Sequence, residues 1–194
     1  MSLAIWLWLA TAAAAIDTVA APESSESEPA ARTLRIDATR TAVDFQIAAL
    51  WILRRSGRFE GIDGTLDIAA GGESAQIRVR IEVDSVRMKE PDHVELLLSP
   101  AFFDAARYPL IEFESAPFAL SGASSLALPG RLTVRGISRQ VRFNLDLREC
   151  RPGPPAPCKV IVDGVLQRSQ FGMTEYRRTL AEDVHLRIAA LVAE

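Results

Sequence analysis

The residues able to do chemistry in this chain are few and scattered. Its histidines are His93 and His185, and its cysteines are Cys150 and Cys158. A metal centre needs several convergent ligands, and the two histidines lie in unrelated elements. His185 falls on the polar phase of an alternating segment, and His93 beside a helix start, so both read as surface residues. Glu112 and Glu114 are two residues apart on a strand-like run, which puts both on one solvent face rather than across a substrate. The chain holds no G-x-S-x-G, P-loop, G-x-G-x-x-G or H-E-x-x-H. No serine is marked as a nucleophile. The expectation is therefore no catalytic set, no metal and no enzyme.

Two other groupings remain. Cys150 and Cys158 flank RPGPPAP, a run that suits neither helix nor strand. The spacing is not C-x-x-C, so in an oxidising compartment a disulfide is the default. Closing so short a loop contributes roughly 2–3 kcal/mol on the chain-entropy model. The second grouping is AALWILRR with Arg58 just beyond it. Arg54, Arg55 and Arg58 next to Trp51 read either as a site for a phosphate or quinone head group or as a solvated basic turn.

The elements that must position these residues are dominated by period two, the signature of half-buried strands. Val43, Phe45 and Ile47 alternate with Asp44 and Gln46. Ile77, Val79, Ile81 and Val83 alternate with Arg78, Arg80, Glu82 and Asp84. Val141, Phe143, Leu145 and Leu147 form a third such run, and Val184, Leu186, Ile188, Ala190 and Val192 a last one. Shorter candidates are 34–37, 57–60, 65–68, 110–118, 131–134 and 160–166, many separated by glycine. About eight to ten strands with little helix imply an all-β sandwich or closed barrel. The exception is 92–109. Asp92 reads as one helix cap, and Ser99-Pro100 as a second cap with proline at the first helical position. One or two short helices are expected near residues 92–107, dense enough in Leu and Phe to plug or line a barrel end.

Residues 1–21, with the apolar run LAIWLWLATAAAA and no basic residue ahead of it, read as a signal peptide too short to span a bilayer. Residues 22–31 read as a flexible linker, and 32–194 as the folded domain. Lys and Arg number 22 against 25 Asp and Glu, a net charge of −3. That balance excludes a nucleic-acid binder and a polybasic membrane anchor. The mature part is short of Tyr and Trp for the aromatic girdles of an integral outer-membrane barrel.

Five segments, taken together, resemble the YceI-like family of polyisoprenoid- or lipid-binding proteins. They are IDATRTAVDFQI (36–47), SGRFEGIDGTLDI (56–68), SPAFFDAARYPLIEF (99–113), GRLTVRGISRQVRF (130–143) and GVLQRSQFGM (164–173). The resemblance implies a lipocalin-like eight-stranded antiparallel β-barrel in the periplasm, carrying an isoprenoid lipid or quinone in its interior. No other cofactor is implied, and either a monomer or a homodimer is expected. The residues expected to line that interior are Phe45, Trp51, Phe59, Val79, Ile81, Phe103, Phe113, Phe143, Leu166 and Met173, each also readable as plain core. Arg54, Arg55, Arg58 and Arg168 are the head-group candidates, with a structural salt bridge the other reading of Arg168. The chain departs from the family in the polar run before SPAFFD. There the family has arginine, aspartate, any residue, histidine, leucine and arginine; this chain has His93, Val94, Glu95, Leu96, Leu97 and Leu98. An enzyme acting on a lipid or quinone, and a filled barrel acting only through protein partners, are the alternatives.

Overall fold

The computed structural model describes residues 30–120, 124–148 and 158–193. The leader, most of the linker and Cys150 lie outside the described residues. The described chain forms β1 (Arg32–Ile36), β2 (Ala42–Ala49), β3 (Leu53–Phe59), β4 (Ile62–Ile68), β5 (Ser74–Glu82) and β6 (Val86–Met88). After α1 (Pro91–Leu98) come β7 (Leu110–Ser115), β8 (Phe118–Ala119), β9 (Ser125–Val134), β10 (Ile137–Asp146), β11 (Cys158–Gln167) and β12 (Leu180–Ala193).

These strands belong to one antiparallel sheet of twelve, and their registers group them into eight staves. β1 and β2 form one stave, because both pair with β12: Ile36 opposite Val192, then Ala42 opposite Ala189 and on to Ala49 opposite Leu180. The next stave, β3 and β4, pairs with β2 and β1 respectively. β5 and β6 pair with β4 and β3. β7 and β8 both pair with β5, and they are split at Pro117, which has no N–H to give the ladder. β9, β10, β11 and β12 then follow as neighbours in chain order. Since β12 returns to β1 and β2, the meander closes into a barrel, as the alternation and the resemblance lead one to expect.

Three adjacent staves break along one line. Asp37 accepts hydrogen bonds from the Thr39 amide (3.0 Å) and hydroxyl (2.7 Å) and winds a short 3-10 turn at Ala38–Arg40. Beside it, Gly61 lies so close to the third stave that a Cβ would fall 2.6 Å from Glu82 Oε2 and 2.8 Å from Ser85 Cβ. Ser85 then donates to the Glu82 carbonyl (2.6 Å) and accepts from the Glu60 amide (3.3 Å), satisfying groups the broken ladder would orphan.

The alternation points apolar residues inward and charge outward. Arg78 stands opposite Glu114 and Arg80 opposite Glu112 on β5 and β7, as ion pairs of 3.3 and 3.5 Å. Arg58 and Asp44 pair at 2.7 Å, Arg187 and Asp163 at 3.9 Å. A barrel in a bilayer carries an apolar band outside; this wall has the opposite polarity. His185 is also outside and exposed, on the polar phase of β12.

One end of the barrel gathers the hairpin 50–52, α1 with the turns 99–108, the turn 135–136 and the loop 168–179. The other end gathers the two ends of the described domain, Arg32 and Ala193, with the remaining loops. At the first end a single α-helix forms, not two. Pro91 is its first residue, after Glu90 rather than Asp92. Ser99 does not open a second helix but closes this one: its amide reaches the Glu95 and Leu96 carbonyls, and its hydroxyl donates to Leu96 O at 2.7 Å. From there the chain winds in turns, with Asp104 at φ 51°, and Phe102 and Phe103 both have aromatic partners. Phe103 meets Phe59 edge-on at 5.6 Å, and Phe102 stacks on Tyr176 at 5.8 Å. Arg135 ties these turns to the loop 168–179 by donating to Pro100 O (3.2 Å) and Gly172 O (3.0 Å).

Candidate functional site: the barrel lumen

The inward phases do not fill the barrel. They enclose a lumen of about 1730 Å³, well above the ~300–1,000 Å³ of ordinary small-molecule sites. A packed module acting only through partners would have no such hollow.

Phe45, Phe59, Val79, Ile81, Phe103, Phe113, Phe143, Leu166 and Met173 all line this lumen. The rest of the wall is of the same kind, including Ile77, Leu128, Leu132, Leu186 and Ile188. Ile77, Leu186 and Ile188 lie on the alternating phases read from the sequence, which do not separate lining from core; Leu128 lies in the part of β9 before the run 131–134. Trp51 is the correction. It is 88% exposed at the tip of the β2–β3 hairpin and takes no part in the lumen. Its position just after β2 suggested the inward phase; the turn breaks the alternation, with φ of 48° at Leu50 and 68° at Trp51.

Three glycines set the width. A Cβ on Gly57 would lie 2.3 Å from the Phe45 ring, one on Gly164 2.2 Å from Phe143, and one on Gly130 2.6 Å from Phe113. Each ring therefore occupies the space that a side chain on the neighbouring strand would need. Phe113 and Phe143 then meet edge-on at 5.2 Å.

Polar groups gather at the ends, apart from Arg40, which reaches the lining from the turn between β1 and β2. At the α1 end, Arg55 and His93 face the lumen from β3 and α1, with Glu90 between them. Glu90 Oε1 is 3.6 Å from Arg55 and Oε2 is 3.3 Å from His93 Nδ1. That Nδ1 is buried and makes no hydrogen bond of good geometry. So His93 is a lumen residue rather than the surface or capping residue its spacing indicated. In the run where the chain departs from the family pattern, Leu96 and Leu97 line the lumen, while Val94 and Leu98 pack on the core. At the far end the wall includes Arg32, Ser124 and Arg148.

The other head-group candidates have different work. Arg58 points outward to Asp44, which raises its pKa through hydrogen bond and charge. Arg54 is exposed on the outer face of β3. Arg168 touches the lumen but is only 2% exposed, and its donors are committed to main chain. Nε donates to Ala181 O (2.9 Å), one terminal nitrogen to Met173 O (2.7 Å) and Glu175 O (2.6 Å), and the other to Leu180 O (3.5 Å). It is a brace across the loop 168–179, through carbonyls and not through a salt bridge. Burial pushes its pKa down, opposed by the charge of Glu182. The acceptors carry no side-chain letter, so nothing in the sequence could announce this role.

Together, the closed meander and the apolar lumen with polar mouths define a hollow lipocalin-like barrel. The chain belongs to the YceI-like family: the model of the YceI-like domain matches residues 34–191. A UPF0312 protein of Azotobacter vinelandii is 26% identical over 100 residues, which span 51% of this chain and 52% of that protein; the match covers about half of each. Three solved structures share the fold. BcnA of Burkholderia cenocepacia superposes with a TM-score of 0.68 at 20% identity, over 82% of this chain and 99% of its own. A polyisoprenoid-binding domain from Saccharophagus degradans, implicated in plant cell wall breakdown, gives 0.63 at 14% identity, over 82% and 97%. The YceI protein of Campylobacter jejuni gives 0.61 at 21% identity, over 71% and 84%.

Proposed function

We propose that this protein is a periplasmic carrier that holds one isoprenoid or similar lipid, of prenyl phosphate or quinone type, in its lumen, and that it is not an enzyme. The observation that carries the reading is the lumen itself. It is lined mostly by carbon, with polar side chains gathered at its ends and at Arg40 in the wall, which suits a slender chain with one polar terminus. Each methylene-sized group moved there from water contributes roughly 0.8 kcal/mol, enough over many groups to outweigh the lost freedom of ligand and protein. The polyisoprenoid-binding neighbour supports the same class of ligand. The head group belongs at the α1 mouth, where Arg55 and His93 face the lumen. Arg54, Arg58 and Arg168 are otherwise placed or engaged. The leader 1–21 routes the chain to the periplasm, where Cys150 and Cys158 join.

The test is mass spectrometry of organic extracts from purified protein, before and after exchange with an added prenyl lipid. A co-purifying or exchangeable prenyl lipid is expected. Its repeated absence overturns the carrier reading.

A further inference from the structure

The β2–β3 hairpin tip is built against the usual rules of turns. Such tight hairpins favour Asn, Asp and Gly, because those residues adopt positive φ at little cost. Here Leu50 and Trp51 occupy the left-handed region instead, where bulky side chains are strained. Packing does not compensate. Trp51 is 88% exposed, Ile52 86%, and Leu50 and Leu53 are about half exposed. The tip is not loose, since the Leu50 amide donates to Thr179 O at 2.7 Å and joins it to the loop 168–179. That loop brings Arg177 and Arg178, both exposed, and Tyr176, 49% exposed. Arg54 follows the tip on the outer face. Arg54, Arg177 and Arg178 form no ion pair among the described residues. The nearby acids include Glu90, between Arg55 and His93, Glu182, which accepts from the Ser169 amide and feels the charges of Arg168 and Arg177, and the exposed Glu175. The balanced charge of the whole chain conceals these three exposed arginines around the tip, without an ion pair among the described residues.

We propose that the Leu50–Leu53 tip, with Arg54, Arg177 and Arg178 around it, docks the barrel onto an anionic lipid bilayer surface. Trp and aliphatic side chains with flanking arginines are the composition that settles at the headgroup boundary. The position also fits, because Leu50, Tyr176 and Thr179 line the mouth of the lumen. Docking there opens the lumen toward the source of its ligand. A second copy of the chain is a poorer occupant. A two-fold contact would set these arginines against themselves, and a knob of four residues is far from the ~1,600 Å² of a stable interface.

The inference rests on the carrier reading but fails separately from it. The full chain carrying Trp6→Phe and Trp8→Phe leaves Trp51 as its sole indole. It is mixed with vesicles of phosphatidylcholine and phosphatidylglycerol in equal parts, or of phosphatidylcholine alone, with and without brominated acyl chains. The expected result is a blue-shifted Trp51 emission quenched by the brominated mixed vesicles. Partition falls about fivefold for each of Arg54→Gln, Arg177→Gln and Arg178→Gln, and about tenfold or more for Ile52→Ser. Trp51 emission that stays unshifted and unquenched overturns the proposal, even if the chain sediments with vesicles. So does a Trp51-dependent dimer that ignores vesicles. A prenyl lipid in the extract beside an unquenched Trp51 keeps the carrier and ends the docking; a quenched Trp51 beside an empty lumen does the reverse.

Discussion

Arg168→Met tests whether the loop 168–179 is held by one guanidinium. Methionine keeps much of the volume and the apolar stem while deleting every donor. Four main-chain carbonyls then lose their partner: Met173 and Glu175 on the loop, Leu180 and Ala181 where β12 begins. The bond to Met173 is buried, and a buried acceptor left unpaired costs about 1–3 kcal/mol. The other three are only partly buried and recover much of their loss from water, at about 0.5–1.5 kcal/mol each. Against this, the variant no longer buries a charge, the same desolvation that lowers the Arg168 pKa. The balance is a destabilisation of about 3 kcal/mol, read as a fall in the urea midpoint at unchanged slope. Limited proteolysis should show new cleavage between Gly172 and Thr179, and Arg168→Lys should restore only a small part, because an ammonium cannot span the fork. A loss below about 1 kcal/mol, or protection of the loop in the Met variant, would refute the brace.

Gly164→Ala forces the Phe143 ring off its neighbour and into the lumen; calorimetry should show reduced capacity for a prenyl ligand, with a stability loss of about 1–3 kcal/mol at most. The Glu182 pKa is lowered by its hydrogen bonds from Ser169, aided by Arg168 and Arg177. Its stabilising effect is therefore complete above the ordinary Glu pKa and lost as pH falls through the lower folded value. Urea midpoints measured down that acid range should show a slope that Glu182→Gln reduces. Reduction of the proposed Cys150–Cys158 bond should lower stability by roughly 2–3 kcal/mol, and peptide mapping without reductant should recover the two segments joined.

The strands could be read from residues because a two-faced wall writes itself as alternation, and here nearly every inward position is Val, Ile, Leu or Phe. That same uniformity hides the lumen. A lining residue and a core residue carry the same letter, and the room that the bare backbone at Gly57, Gly130 and Gly164 gives three inward rings shows only in the folded barrel. Ser99-Pro100 misled because a serine that ends one helix and a serine that begins another look alike until its amide finds the Glu95 carbonyl. Trp51 misled because alternation does not survive two consecutive residues at positive φ. His93 turned inward because α1 begins at Pro91, which sets the face the helix presents to the lumen.

The closure of β12 on β1 has a consequence for handling the molecule. Arg35 lies opposite Ala193, so the two termini of the domain emerge side by side, at the pole opposite Trp51. Neighbouring termini at the surface suit circular permutation. A short bridge from 193 back to 30, with a new opening in the 69–73 turn, would leave every stave and the α1 mouth in place. Immobilised through either end of the described domain, the barrel would present that mouth outward.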